Sequence, residues 1–271
     1  MRYLITTFLL LCCVIPSHIN AETYSFAFVP QQSAKKLAKK WTPILNYINE
    51  HTGDTYVFKT AKNIPTFEQR VQAQDYDVAY MNPYHFVVFN QSAGYQALAK
   101  QKNKQIKGIV VVKKDSDIKT LEQLEQMKLA FPAPAAFAAS ILPRGELQQR
   151  GIEFTPKYVS SHDSVYLNVA RGFFPAGGGV MRTFNNTAPE VREKLKVLWS
   201  TNGYTPHAFA TKQDFPQEAA KRLIAALESM NTTEKGKALL KTVNFKGLEA
   251  AQNDDWRDVK SLDLDTILGN N

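Results

Sequence analysis

The chain has 271 residues, of which 44% are hydrophobic and 21% are charged. This composition is typical of a packed globular protein and excludes a disordered or fibrous one. The formal net charge of +8 indicates either a scattered basic surface that keeps the protein in solution or attraction of anionic ligands or a membrane surface. The longest basic runs are pairs such as Lys35-Lys36, and no nucleic-acid-binding motif is present, so we expect no nucleic-acid partner.

The first 21 residues have the pattern of a secretory signal peptide. Arg2 precedes an apolar run over residues 3–15, and Ala21 marks the expected cleavage site. The run is shorter than the about 20 residues of a membrane-spanning helix. Cleavage after Ala21 is favoured over lipid attachment at Cys12 or Cys13, and it removes both cysteines. The mature chain is then expected to have no disulfide and no thiolate metal site.

After the signal peptide, strands and helices alternate. Apolar residues alternate in the predicted strands and recur every three or four positions in the predicted helices. This order predicts a mostly parallel sheet with helices on both faces. The predicted strands cover residues 23–29, 55–61, 76–82 and 95–101, and the predicted helices cover residues 33–53, 64–74 and 83–94.

A second alternating series follows a long β-branched run at residues 106–117, which we expect to leave one sheet and enter another. Residues 207–212 are predicted to return as a strand. The chain is therefore predicted to form two α/β lobes with a cleft between them: lobe 1 from residues 22–108 and 205–271, and lobe 2 from residues 109–204. Within lobe 2, strands are predicted at residues 128–133, 154–161 and 176–184, and helices at residues 121–127, 135–151 and 162–172. After the returning strand, lobe 1 is predicted to have helices at residues 216–230, 232–243 and 262–268.

The strand-to-helix junctions are the candidate binding sites, because ligands of open parallel sheets lie beyond the carboxyl ends of strands, near helix N-termini. The first junction, VPQQSAKK, places Gln31, Gln32 and Ser33 at the start of a helix, with Ser33 as the predicted cap. An ordinary capped helix is the alternative interpretation of this stretch.

The second junction, AYMNPYHF, has Asn82 as the predicted cap and a proline at the first helical position. Tyr80 and Tyr84 combine aromatic faces with polar tips, which a ligand pocket uses. The alternative is that each tyrosine is an ordinary half-buried side chain without contact to a ligand.

The third junction, VSSHDSVYLNV, presents Ser161 and His162 before a helix, either as donors to an anion or as ordinary loop residues. The fourth is the apolar stretch FPAPAAFAAS, taken together with AGGGVMRTF, whose Arg182 is a nearby cation. No histidine or carboxylate stands at metal-ligand spacing from His162, and no nucleophile or phosphate-loop motif is present. We therefore expect a binding protein without cofactor or metal, and not an enzyme.

Four segments in order, FVPQQSAKKLAKKWTPILNYINEHTG, YDVAYMNPYHFVV, AFPAPAAFAASILPRGEL and SSHDSVYLNVARG, resemble the periplasmic substrate-binding proteins of phosphonate, phosphite and phosphate ABC transporters. The resemblance implies the type II periplasmic binding protein fold, a monomer in the periplasm, and delivery of a small ligand to a membrane permease. A sensory role, presenting the ligand state to a membrane-bound histidine kinase or diguanylate cyclase, is the alternative.

The resemblance also implies a ligand site at the fourth junction. The family's Ser-Thr-Ser cluster, which grips the oxyanion, aligns with Ala136, Phe137 and Ala138, and its histidine aligns with His162. Ser140 stands one turn further on. Hydrogen bonds to a charged group contribute roughly 1.5–3 kcal/mol each, so the loss of three hydroxyls predicts weak phosphonate binding. We expect an anionic or zwitterionic ligand whose apolar part rests on Phe137 and the tyrosines. The alternative is that Phe137 and the alanines only pack the helix onto its sheet.

Overall fold

The structure is a computed structural model that describes residues 21–262. The predicted signal peptide, apart from Ala21, and most of the predicted helix at 262–268 lie outside the described residues. Among the described residues, no helix is long and apolar enough to cross a membrane.

The first sheet has six strands in the order β11-β4-β10-β3-β1-β2. Strand β1 pairs in parallel with β2 and β3, whereas β10 lies antiparallel between β3 and β4. The bounds are β1 Thr23–Phe28, β2 Thr55–Lys59, β3 Val78–Met81, β4 Gln96–Gln101, β10 Ala208–Thr211 and β11 Leu248–Ala250.

The second sheet has five strands in the order β7-β6-β8-β5-β9. Strand β6 runs parallel to β7 and β8, and β5 is antiparallel to β8 and β9. The bounds are β5 Gly108–Lys113, β6 Met127–Phe131, β7 Phe154–Tyr158, β8 Ala176–Val180 and β9 Leu195–Ser200.

Helices flank both sheets, so the predicted α/β class with two helix-covered sheets is confirmed, and both sheets are mixed. The helices are α1 Ala34–Thr52, α2 Ile64–Gln72, α3 Pro83–Ser92, α4 Leu142–Gln149, α5 His162–Ala170, α6 Met181–Asn185, α7 Pro189–Arg192, α8 Gln217–Ser229, α9 Glu234–Thr242 and α10 Arg257–Lys260. A π-helical turn, Phe137–Ile141, precedes α4, and 3-10 turns occur at Glu122–Leu124 and Asn253–Trp256.

Strand β5 explains why the run of β-branched residues is apolar at every position. Ile109 and Val111 pack into the hydrophobic cluster on one face of the second sheet, while Val110 and Val112 pack into the cluster on the other face. Successive side chains of a strand point to opposite faces, so a strand buried on both sides has no polar position.

Several segments differ from the sequence prediction. Strands β9 and β11 were not predicted, and β11 lies in a part of the chain that was expected to be helical. The predicted helix at 121–127 is only a short 3-10 turn, because Gln126 takes a left-handed φ of 60° and Met127 already starts β6. The predicted strand at 176–184 ends at Val180, after which Met181 begins α6.

The chain segments that join the two sheets also differ from the prediction, because no described strand extends from one sheet into the other. Strand β5 lies wholly in the second sheet, and residues 102–107 and 201–207 make the two connections. We call these segments the connectors. They are held side by side by a bridge in which Ile106 and Tyr204 exchange two backbone hydrogen bonds of 2.8 and 3.0 Å.

Candidate functional site

The carboxyl ends of strands from both sheets meet at one place. Strands β1 and β3 of the first sheet end at α1 and α3, and β6, β7 and β8 of the second sheet end at the π turn, α5 and α6. Direct hydrogen bonds join the units built on the two sheets, which we call the two sides. Two of these bonds are accepted by backbone carbonyls: the backbone N–H of His162 donates to the carbonyl of Gln31 at 3.2 Å, and the Asn82 amide donates to the carbonyl of Ala135 at 3.1 Å.

A small cavity of about 10 Å³, which we call the junction cavity, lies where these ends meet. Gln31, Asn82 and His162 line it, together with Ala136 and Phe137. The volume corresponds to about one water molecule. Phe137 is only 1% exposed, and its ring packs edge-on against Tyr204 at 5.6 Å, so the phenyl group of this lining residue is held in place.

The wall is held in place by glycines of the second sheet. A Cβ atom on Gly178 would lie 2.0 Å from the carbonyl oxygen of Ala139, and one on Gly108 would lie 2.0 Å from that of Ala138. These two glycines therefore let the π turn rest directly on the sheet. The glycine run in β8 thus serves close packing of the π turn and α5.

His162 is a neutral group in this site. Its Nδ1 pairs with the hydroxyl of Thr183 at 3.0 Å, and its buried Nε2 has no hydrogen-bond partner among the described residues. Burial, assisted by the nearby Arg182, lowers the pKa of His162 to about 3. At neutral pH this histidine therefore offers a hydrogen bond to a ligand but no positive charge.

Gln31 is the centre of the polar contacts between the sides. Its amide nitrogen pairs with Nε2 of His207 at 2.9 Å, and its amide oxygen accepts a hydrogen bond from the Arg182 guanidinium. The His207 ring stacks on Tyr80 with centroids 5.0 Å apart. Burial, followed by the charge of Arg182, holds the pKa of His207 well below its usual value.

A second set of contacts lies at the start of α1. The Asp163 carboxylate of α5 accepts from Nζ of Lys36 at 3.0 Å and from the amide of Gln32 at 3.3 Å. Gln32 in turn accepts from Lys40 at 3.4 Å. Burial and the nearby charge of Arg182 lower the pKa of Lys40. This face of the site therefore concentrates cations around one carboxylate.

A larger cleft of about 180 Å³ adjoins the junction cavity on the side of the connectors, and we call it the connector cleft. Tyr80 and Arg182 line it with residues of both connectors, and His207 borders both spaces. Among the described residues, no group of three metal-ligating side chains is placed to hold a metal ion.

Several residues selected from the sequence lie outside both spaces. Ser33 and Ser161 cap α1 and α5 by accepting from the backbone N–H groups of Lys36 and Ser164. Ser140 is fully buried in the π turn, without a hydrogen-bond partner for its hydroxyl among the described residues. Tyr84 is half-buried on α3 and lines neither space.

Sequence reasoning missed His207, Lys104 and Lys107. His207 directly precedes the returning strand β10, so its place at a strand end was a usable signal. The two lysines follow β4 in a segment whose role in joining the sheets is visible only once both sheets are known.

A family model described as ABC transporter, phosphonate, periplasmic substrate-binding protein matches residues 26–256. The phosphate-import protein PhnD of Mycolicibacterium smegmatis is 20% identical over 225 residues, which cover 74% of this chain and 70% of that protein.

Two solved structures have closely similar folds. A binding protein component of an ABC phosphonate transporter from Pseudomonas aeruginosa superposes with a TM-score of 0.83 at 16% identity, covering 92% of this chain and 87% of the other. PhnD1 from Prochlorococcus marinus, solved with methylphosphonate, gives a TM-score of 0.82 at 17% identity, covering 91% of this chain and 98% of the other.

Proposed function

The chain belongs to the family of periplasmic substrate-binding proteins of phosphonate ABC transporters, and from this premise we propose that it closes on a small organic anion or zwitterion and delivers it to a membrane permease. One similar protein is named a phosphate importer and another was solved with methylphosphonate, which supports an anionic ligand. The observation that carries the proposal is Gln31, which follows the end of a strand in one sheet and is bonded to His162 and Arg182 of the other side.

The proposal includes weak binding of phosphonates. The junction cavity has room for about one water and presents Ala136 and Phe137 where the resemblance aligns hydroxyl groups. His162 is neutral there, so no cation compensates for the missing hydroxyls inside the cavity. The charged partner for a ligand is instead Arg182, at the border with the connector cleft.

The lobe boundaries belong to the same proposal. We infer a lobe 1 made of residues 22–108 and 205–271 and a lobe 2 made of residues 109–204, which move about the paired connectors. The side-by-side bridge between Ile106 and Tyr204 supports this location of a hinge. We also propose cleavage of the signal peptide after Ala21 and a monomeric mature protein.

A thermal-shift screen of the mature protein against a library of small anions and zwitterions tests the function. Ligands that bind the native state raise the unfolding midpoint, and we expect at least one such ligand, with small-angle scattering showing a smaller radius of gyration at saturation. Absence of any stabilising compound, or stabilisation without compaction, would contradict closure on a solute. Loss of uptake of that compound when the gene is deleted separates transport from sensing.

A further inference from the structure

The connector cleft has an uneven distribution of charge. Its lining residues include three cationic side chains, Lys104, Lys107 and Arg182, and no aspartate or glutamate of the described residues lines it. Cations grouped without a carboxylate raise the local potential and attract an anion. The two lysines are exposed at the mouth, while Arg182 is half-buried and already held in orientation by its hydrogen bond to Gln31.

The rest of the wall is apolar or aromatic. Aliphatic surface comes from Ile106, Val180 and Pro206. Aromatic surface comes from Tyr80 and His207, whose rings stack with an angle of 21° between their planes. The volume of about 180 Å³ is slightly larger than the roughly 150 Å³ of an engineered cavity that binds benzene. A molecule with an apolar body about the size of one six-membered ring therefore fits.

Tyr80 adds an unused polar group to this cleft. The residue is 5% exposed, and its hydroxyl makes no hydrogen bond to another described residue. Arg182 lines the same cleft. Because this hydroxyl has no partner among the described residues, it is available to donate to a polar atom of a ligand in the cleft.

A tetrahedral oxyanion without an attached apolar group fits neither the junction cavity nor the connector cleft. The junction cavity is too small for it, and in the connector cleft it would leave the aliphatic and aromatic wall without contact. A planar carboxylate matches the planar guanidinium fork of Arg182, and a ring attached to it matches the wall.

We propose that the connector cleft binds a small organic carboxylate with a flat apolar body of about one ring. The carboxylate contacts Arg182, with Lys104 and Lys107 at the mouth, and the ring contacts Tyr80 and His207. This assignment rests on the proposed solute-binding function, and it moves the anion-binding group away from the junction at which the resemblance places it.

Titration calorimetry with benzoate as the probe tests the assignment. We expect benzoate to bind more tightly than its neutral analogue benzamide, and more tightly than methylphosphonate or inorganic phosphate. Equal binding of benzoate and benzamide, or tighter binding of either phosphorus oxyanion, would overturn it. Because the lysines are exposed, the benzoate affinity should also fall as salt is added.

Variants locate the site. The Lys104→Gln and Lys107→Gln double variant should weaken benzoate binding about fivefold to tenfold, as expected for two solvent-exposed charge contacts. The Lys102→Gln and Lys114→Gln double variant removes the same net charge from exposed positions that do not line the cleft and should bind like the wild type. Equal weakening in both pairs would mean that only the overall charge matters, which contradicts the assignment.

Tyr80→Phe supplies an independent readout. It removes only a hydroxyl that bonds to no described residue, so the thermal midpoint without ligand should not fall, while benzoate binding should weaken about fivefold. An unchanged affinity would contradict a role for this hydroxyl. If other anions bind and compact the protein but are insensitive to these variants, this inference fails while the proposed function stands; if none of the compounds binds, the proposed function fails as well.

Discussion

Phe137 decides what fits at the junction between the sheets. Its ring is buried, packs against Tyr204 and forms a wall of the junction cavity. The flanking Ala136 and Ala138 add no polar atom beyond the backbone. The start of the π turn still presents backbone N–H groups, as every helix start does. The backbone N–H groups of the π turn would suit an oxyanion, but the side chains of Ala136, Phe137 and Ala138 disfavour its binding there.

Restoring hydroxyls should therefore create phosphonate binding. The variant Ala136→Ser, Phe137→Thr and Ala138→Ser combines added space with three donors. We expect its affinity for 2-aminoethylphosphonate, measured by titration calorimetry, to exceed that of the wild type by about 100-fold or more, because each hydrogen bond to the charged group contributes roughly 1.5–3 kcal/mol.

Phe137→Ala alone is the matched control, since it opens the cavity without adding a hydroxyl. It should bind 2-aminoethylphosphonate far more weakly than the triple variant. Equal affinities of the single and the triple variant would mean that space alone limits binding and that the hydroxyls are irrelevant. Both variants lose a buried ring, at a cost of about 3–5 kcal/mol of unfolding free energy, so unfolding curves should accompany the titrations.

The buried His162 makes stability depend on pH. Its pKa is about 3 in the folded state because of burial and the Arg182 charge, whereas in the unfolded chain it is about 6.5. Between these values the unfolded state binds the extra proton, so the folded state loses stability as pH falls, by up to about 1.4 kcal/mol per pH unit. His207 acts in the same direction, because burial also lowers its pKa.

Urea unfolding at a series of pH values between about 6.5 and 4 measures this slope. The His162→Gln variant should have a flatter slope than the wild type, because one of the two lowered groups is gone. An identical slope in the two proteins would show that His162 does not remain neutral in the folded state.

At the scale of elements, the second sheet and the π turn depend on contact through glycine. A methyl group on Gly178 would overlap the Ala139 carbonyl and the Phe131 ring, which lie 2.0 Å and 2.7 Å from the added atom. Gly178→Ala should therefore lower the free energy of unfolding by about 2–3 kcal/mol, as overpacking does. Chemical denaturation with far-UV detection measures the loss.

Gly247→Ala is the comparison, because the nearest atom to its added methyl group is the end of the Asn231 side chain, at 3.0 Å. The overlap is much smaller than the 2.0 Å contact at Gly178 and requires a smaller shift, so we expect a smaller loss than for Gly178→Ala. Equal losses would contradict the view that the π turn is seated on β8.

The order of helices and strands in the described chain was largely predictable, because apolar residues recur with a clear helical or strand period in most elements. Helix α1, with its Ser33 cap and its left-handed Gly53 at the end, is an example in which local signals and tertiary structure agree. The residues 176–184 were not predictable in this way. Their glycines and apolar residues allow both strand and helix, and contacts of β8 with α5 and the π turn decide where the strand ends.

The candidate site was predictable only where it coincides with strand ends. Gln31, Asn82 and His162 were found because each lies at a strand-to-helix junction. Lys104 and Lys107 were not found, because they lie on a connector and approach Arg182 only through the packing of one sheet beside the other.

At the scale of the whole molecule, the two sides are held together by a few polar contacts. The exposed ion pair between Lys36 and Asp163 joins α1 to α5 at 3.0 Å. Asp163→Asn should shift the population towards more open forms by about two- to fivefold, since such pairs contribute about 0.2–1 kcal/mol. Spin labels on cysteines substituted at the exposed Lys39 and Glu190 report the distance distribution.

Glu234→Gln removes a similar exposed pair, with Lys237, that lies within one helix. It should leave the distance distribution unchanged. A shift of the same size in both variants would show that the Lys36 contact has no specific part in holding the sides together.

Titration calorimetry of the mature wild-type protein with phosphate, phosphite, 2-aminoethylphosphonate and benzoate shows whether the site discriminates against phosphorus oxyanions. We expect a dissociation constant above about 1 µM for each of the three phosphorus oxyanions and tighter binding of benzoate. Submicromolar binding of any of the three oxyanions would contradict this expectation, because the junction cavity beside Phe137 would then have to accept the group that this structure excludes.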